Sequence, residues 1–459
     1  MLKDKPLDYA KASAGELAAA LAARRVSAME LFDEAVRAIE AKDGPINAVV
    51  IRDFDRAREG AKAADAALAR GEAGPLLGVP MTVKESQRVA GLPATWGLEP
   101  FKGWTAKADS TGVVRLKGAG AVILGKTNVP PNLGDWQSVN PIYGRTNNPH
   151  DLSRSPGGSS GGGAAALASG MVPLEFGSDI GGSIRVPAHL CGVFGHKPTY
   201  GLIPTTGHAP PGVEGVGEAV QFGVVGPLAR TAADLDLALG VLAGPEGYEA
   251  VGYRLALPPP RAAALKEFRV LVLDSHPLAA TDSEVLAPLE ALAGRLERLG
   301  AQVARRSNLV PDLAACHQTY GQMLSTALSR RPGGSPPQGV DVFAWMNGMD
   351  AIMRARAAWA RLFEDFDVVL APPFITAAFP HTDEPDWSKR RLIVDGQPTP
   401  YGGGLAWPGV ATFPGLPATC APIGRTKAGH PVGVQIMGSM FEDRTPIAFA
   451  GLIERELTS

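Results

Sequence analysis

Ser155-Pro156-Gly157-Gly158-Ser159-Ser160-Gly161-Gly162-Gly163, followed by Gly177-Ser178-Asp179-Ile180-Gly181-Gly182-Ser183-Ile184-Arg185-Val186-Pro187, is the most informative stretch of this 459-residue sequence. Thirteen glycines fall between residues 157 and 207. Glycine reaches positive φ and lets two backbones meet with no Cβ between them, so this density predicts close approaches and unusual turns. Taken alone, Gly-Gly-Ser-Ser-Gly-Gly reads as a flexible loop. A phosphate cradle is excluded, because no Gly-Lys-Ser/Thr closes the segment. Two glycines directly before Ser183 let neighbouring N–H groups turn towards one point, which suits a site for a developing oxyanion.

Outward from this stretch the chain alternates short apolar runs with turns and helical segments. Val79 to Val83 and Ala121 to Leu124 read as buried strands. Phe268 to Leu273, Ala301 to Ala304 and Val368 to Leu370 read as strands between helices at Thr231 to Leu242, Ser283 to Leu299 and Phe343 to Phe366. This is β-α-β texture and predicts an α/β sheet. The first 70 residues read as a helical layer, with capping boxes at Ser13–Glu16 and Ser27–Glu30. Gly118-Ala119-Gly120 precedes a strand and lacks a third glycine, so it is not a dinucleotide fingerprint. Residues 329–340 and Gly402-Gly403-Gly404 read as loops, and with Pro210-Pro211 the latter suggests a mobile entrance. No clean linker divides residues 1–459. One domain is expected, with a catalytic core over 77–207 and the rest of the sheet and pocket elements over 208–459.

Further motifs join the glycine-rich stretch: Gly78-Val79-Pro80-Met81-Thr82-Val83-Lys84-Glu85 upstream, Gly195-His196-Lys197-Pro198 and Gly226-Pro227-Leu228-Ala229-Arg230 downstream, and Phe413-Pro414-Gly415-Leu416-Pro417 near the end. Lys84 stands 75 residues before Ser159, and Ser159 stands 24 before Ser183. Together these resemble the amidase signature family of serine hydrolases, over most of the chain. The resemblance implies one α/β/α domain with a large mixed central sheet covered by helices. It implies amide hydrolysis through an acyl-enzyme, with Ser183 as nucleophile, Ser159 as proton relay and Lys84 as base. It further implies a cis peptide at Gly158–Ser159, an oxyanion hole of Ile180, Gly181, Gly182 and Ser183 amides, and supporting roles for Gly158, Ser160, Asp179 and Arg185. Leu133 and Trp136 align with a segment that lines the acyl pocket in relatives. Glu85 stands where aspartate is commoner, and Pro131 where an acidic residue often follows Asn-x-Pro.

The chemistry stands beside the resemblance. Amide hydrolysis needs a nucleophile, a base and a place for the oxyanion. A lysine base must be neutral, which burial favours, and Val79, Met81 and Val83 surround Lys84 with apolar residues. A Ser-His-Asp triad would instead need His189 or His196 beside Ser183. The expected substrates are uncharged amides, aryl amides among them, with carbamates and esters open to the same chemistry. Two other readings stay open: the glutaminase subunit of a tRNA-dependent amidotransferase, and a non-catalytic binding protein on the same scaffold.

Composition narrows the classes. The net charge of −2 implies no broad nucleic-acid face. Cys191, Cys316 and Cys420 are few, odd in number and far apart, which argues against a disulfide framework and for a cytoplasmic, reduced chain. The eight histidines show no metal spacing, and no cofactor or metal is expected. No apolar leader and no run of about 18 apolar residues is present, so no membrane span is expected. The expected partner is a small-molecule amide or carbamate, bound by a monomer or homodimer.

Overall fold

The Ser183 loop leaves the end of a strand in an eleven-stranded mixed sheet, and the Ser159 loop leads into the helix Gly161–Ala168, in this computed structural model, which describes residues 7–213, 220–329 and 340–458. The strands are β1 (Val49–Arg52), β2 (Pro80–Lys84), β3 (Val122–Thr127), β4 (Leu174–Asp179), β5 (Phe194–Lys197), β6 (Val224–Ala229), β7 (Arg269–Val272), β8 (Gln302–Ala304), β9 (Val368–Ala371), β10 (Ala418–Arg425) and β11 (Pro431–Met437). Their order across the sheet is β1-β3-β2-β4-β6-β5-β10-β11-β9-β7-β8. Strands β3, β2 and β4 run parallel, and β6 is antiparallel to β4. Lys84 ends β2 and Asp179 ends β4, while Val224 opens β6 opposite Asp179. All three therefore reach the same edge, the carboxyl end of the parallel strands, where open α/β sheets bind ligands.

Helices flank the sheet. Ser13 and Ser27 cap the helices Ala14–Ala22 and Ala28–Ile46 with the expected capping boxes. Helix Gly161–Ala168 (Gly-Gly-Gly-Ala-Ala-Ala-Leu-Ala) is buried along nearly its whole length. Its residues must be small. A Cβ at Gly162 would come within 2.4 Å of the Asn128 nitrogen, and one at Gly163 within 2.4 Å of the Glu175 side chain. The expected strands and helices are present to within a few residues, Val342–Asp365 being the long helix near the C-terminal third. Among the described residues, no helix is long and apolar enough to cross a membrane.

One loop expectation is corrected: Gly402 to Gly404 lie in a short 3₁₀ turn, Tyr401–Leu405. A Cβ at Gly404 would strike the Phe374 ring at 2.3 Å, so packing against an aromatic demands this glycine. Pro210 and Pro211 are buried. The expected 329–340 loop falls almost wholly on residues 330–339, outside the described residues.

Candidate active site

Lys84 is fully buried at the end of β2. Its Nζ donates to Ser159 Oγ at 2.7 Å and to Ser178 Oγ at 2.9 Å. Ser178 was not among the expected site residues, yet it holds the amine from the neighbouring strand. Its signal was available in the Gly-Ser-Asp at the end of β4, because a lysine ending a parallel strand beside it meets that side chain. Ser159 follows a cis peptide from Gly158, as the resemblance implies. A Cβ at Gly158 would lie 2.3 Å from the Asp135 carbonyl oxygen. Ser160 fastens the two loops together: its N–H donates to Ser183 O at 3.1 Å and its Oγ to Ser178 O at 3.2 Å.

The loop from Ile180 to Ser183 is held from outside at every carbonyl. Tyr320 Oη donates to Ile180 O at 2.5 Å, Trp136 Nε1 to Gly181 O at 3.0 Å, Val186 N to Gly182 O at 2.7 Å, and Ser160 N to Ser183 O at 3.1 Å. A trans peptide sets C=O and N–H on opposite sides of one plane. Fixing the carbonyls therefore aims the following N–H groups the other way. Gly182 N–H is committed to Asp179 Oδ1 at 2.9 Å and Ile184 N–H to Asp179 Oδ2 at 3.0 Å. The N–H groups of Ile180, Gly181 and Ser183 have no acceptor among the described residues. Of the four amides expected to meet an oxyanion, Gly182 is thus occupied by a carboxylate. Gly182 itself has φ +93°, and a Cβ there would collide with Val186 and Pro408.

Asp179 and Arg185 pair as expected. The guanidinium donates to both carboxylate oxygens, at 2.8 and 3.0 Å, with both side chains fully buried. Burial would raise the Asp179 carboxyl. The Arg185 charge and hydrogen bonds, the Ile184 amide and Lys197 outweigh it and hold the group at about 2. Arg185 also donates to Pro408 O, Thr412 Oγ1 and Gln435 Oε1. The pair braces the loop, its carboxylate committed to Arg185 and to the loop amides.

Ser159, Ser178, Asp179 and Ser183 open onto a cleft walled by Trp96, Leu133, Ile180, Thr205, His208, Val220, Gly223 and Val224. Leu133 lines this cleft. Trp136 does not: it stacks against Phe374, Tyr401 and Trp387 behind the serine loop and reaches Gly181 only through its indole N–H. Trp96 and His208 were not singled out as wall residues. Their rings lie 5.0 Å apart, and Ser86 Oγ sits 3.0 Å from His208 Nε2. They come from segments more than 100 residues apart in sequence, so only the folded chain joins them. Glu85 explains the place of Trp96. Its buried carboxylate accepts from Thr95 N at 2.6 Å, Thr95 Oγ1 at 2.8 Å and Trp96 N at 3.0 Å. His189 and His196 are elsewhere. His189 bonds Thr376 O and Gly433 N, and His196 bonds Thr419 Oγ1 and Asp443 Oδ1. Neither joins Ser183.

A family model described as Amidase matches residues 30–350 and 341–446. An acylamidase from Rhodococcus erythropolis is 34% identical over 461 residues, covering 92% of this chain and 91% of the relative. A glutamyl-tRNA(Gln) amidotransferase subunit from Roseiflexus castenholzii is 32% identical, covering 95% of this chain and 94% of the relative. The crystal structure of a bacterial aryl acylamidase of the amidase signature family superposes with a TM-score of 0.83 at 25% identity, over 97% of this chain and 96% of the other.

Proposed function

The chain belongs to the amidase signature family of amide hydrolases, and from that premise we propose that it cleaves uncharged acyl amides, aryl amides among them, by a Ser183–Ser159–Lys84 relay. Ser183 Oγ attacks the substrate carbonyl carbon. Its proton passes to Ser159 Oγ as the Ser159 proton passes to Lys84 Nζ. The Ser178 contact at 2.9 Å supports this reading, because it holds the amine beside Ser159. The tetrahedral oxyanion accepts hydrogen bonds from the Gly181 and Ser183 amides, with Ile180 beside them. Collapse breaks the C–N bond, and the relay returns a proton to the leaving nitrogen. Water then attacks the acyl-enzyme through the same groups and releases the acid. Carbamates and esters form the same kind of acyl-enzyme and are proposed as further substrates.

The observation that carries the substrate class is the cleft wall. Among its described residues the only permanently charged group is Asp179, and that charge is spent on Arg185 and loop amides. Glutamine brings an ammonium and a carboxylate at its far end, and burying either without a partner is costly. The match to a tRNA amidotransferase component over 95% of the chain is the specific ground for the rival reading. Purified protein assayed without a partner on matched anilides, aryl carbamates, aryl esters, primary amides and glutamine separates the two. Turnover of anilides or carbamates that vanishes in Ser183→Ala is the expected result. Release of ammonia from glutamine alone overturns the proposal in favour of the amidotransferase role. Failure of the wild type to label with a fluorophosphonate favours a binding protein.

A further inference from the structure

We infer that Tyr320, from helix Leu313–Leu328, is a positioning residue that aims the Gly181 amide at the oxyanion. The inference rests on the proposed role of Ser183 and goes beyond it, naming a side chain outside every motif of the glycine-rich core.

Tyr320 lies 140 residues beyond Ile180 in the chain, yet its Oη donates to Ile180 O at 2.5 Å. That oxygen and the Gly181 N–H belong to one peptide unit. The planar trans peptide makes the pull on one end a setting of the other. Among the four carbonyls of the loop, those of Gly182 and Ser183 are held by backbone donors. Trp136 holds Gly181 O, and the N–H of that same peptide goes to Asp179. The Ile180–Gly181 peptide is therefore the one whose carbonyl is fixed by a side chain while its N–H is left towards the cleft. Gly181 has no Cβ, so rotation of this peptide meets little intrinsic steric resistance.

The tyrosine is itself rigidly seated. It is fully buried, and burial raises its phenol well above the usual value, so the hydroxyl stays a donor at any working pH. Phe222 meets it edge-on at 5.2 Å. Gly409 lets the ring lie against the Ala406–Thr412 helix, where a Cβ would approach Cδ1 to 3.0 Å. Phe222 also leads into Gly223 and Val224 of the cleft wall, so one aromatic contact ties the amide to the acyl site.

The test compares Tyr320→Phe with Tyr9→Phe in the full-length chain. Tyr9 is a matched control: a buried tyrosine whose hydroxyl donates to Met171 O at 2.9 Å, apart from every residue of the cleft. Loss of one oxyanion donor costs about 10²–10³ in kcat, and misaiming one costs part of that. Tyr320→Phe is expected to lower kcat on an anilide about tenfold or more with KM within about twofold. Inhibition by an arylboronic acid, which adds to a serine as a tetrahedral anion, should weaken by the same factor. Tyr9→Phe should shift the unfolding temperature similarly and leave kcat and boronate inhibition unchanged. A Tyr320→Phe enzyme that unfolds earlier but keeps wild-type kcat and boronate affinity overturns the inference. So does an equal loss of kcat in Tyr9→Phe. Ser183→Ala keeps the two claims apart: turnover surviving there overturns the nucleophile and this inference together. Turnover lost there but intact in Tyr320→Phe overturns the inference alone.

Discussion

The floor of the cleft and its walls are built by different means. Lys84, Ser159, Ser178 and Ser183 are set mostly by local structure: strand ends, glycines where a Cβ would collide within 2.3–2.8 Å, and the Asp179 carboxylate holding two amides, with Trp136 and Tyr320 as the braces from outside. The walls are set by side chains brought from afar, Trp96 beside His208, with Leu133 and Val224 lining the same cleft. The floor admits few substitutions because backbone cannot retreat from a new methyl group. The walls can change residue by residue while the floor stays. Chemistry and substrate choice are thereby separable in this chain, and substitutions in the two regions should leave different kinetic marks.

The largest effect is expected on the floor. Lys84→Met removes the amine while filling most of its volume, and Ser159 and Ser178 keep their hydroxyls. kcat/KM on the best anilide should fall by about 10³-fold or more, at every pH tested, because base and relay fail together. Fluorophosphonate labelling of Ser183 should slow in parallel. A variant that keeps wild-type kcat would detach Lys84 from the chemistry and erase the contrast between floor and wall.

A smaller effect, and a selective one, is expected at the wall. Trp96→Ala enlarges the cleft where an aryl group would lie. kcat/KM for an aryl acyl amide should drop on the order of 10- to 100-fold, while an acetyl amide with the same leaving group changes less than about threefold. The ratio is measured by competing the two substrates in one reaction. Equal losses on both would mean that Trp96 supports the floor, through the turn that Glu85 grips, and not the substrate.

The same division decides what the sequence could reveal. Lys84, Ser159, Ser183, Asp179 and Arg185 sit inside dense local motifs, and the family resemblance those motifs carry brought them into view. The capping serines 13 and 27 were legible because their partners are three residues away. Trp96, His208 and Tyr320 have no such signal. Each acts through a contact between segments far apart in the chain, and local periodicity carries no trace of it. Trp136 shows the opposite error. The segment it belongs to does reach the cleft, through Leu133, but three residues further on the chain has turned and the indole points into an aromatic core. Gly404 misled likewise, since glycine serves flexibility and tight packing equally well and at this position only the Phe374 ring decides between them.

Beneath the floor lies Glu175, fully buried on β4, its carboxyl accepting from Thr82 and Thr127 at 2.5 and 2.6 Å. Burial pushes this group up to about 7, with the hydrogen bonds from Thr127 and Thr82 holding it back from a larger rise. The unfolded chain releases the proton near 4.5, so between these values the folded state binds more protons than the unfolded one. Stability from this group is therefore complete below about 4.5 and is lost as the pH rises through about 7. Glu175→Gln mimics the protonated form at every pH. Relative to the variant, the wild-type unfolding temperature should decline between about pH 5 and pH 8, by roughly 2 °C or more. KM for aryl and acetyl amides should stay unchanged, since Glu175 touches no wall residue. Parallel stability curves across that range would mean that Glu175 stays charged throughout, leaving a permanent anion under the lysine. The floor would then carry an electrostatic balance unlike the neutral acid expected here.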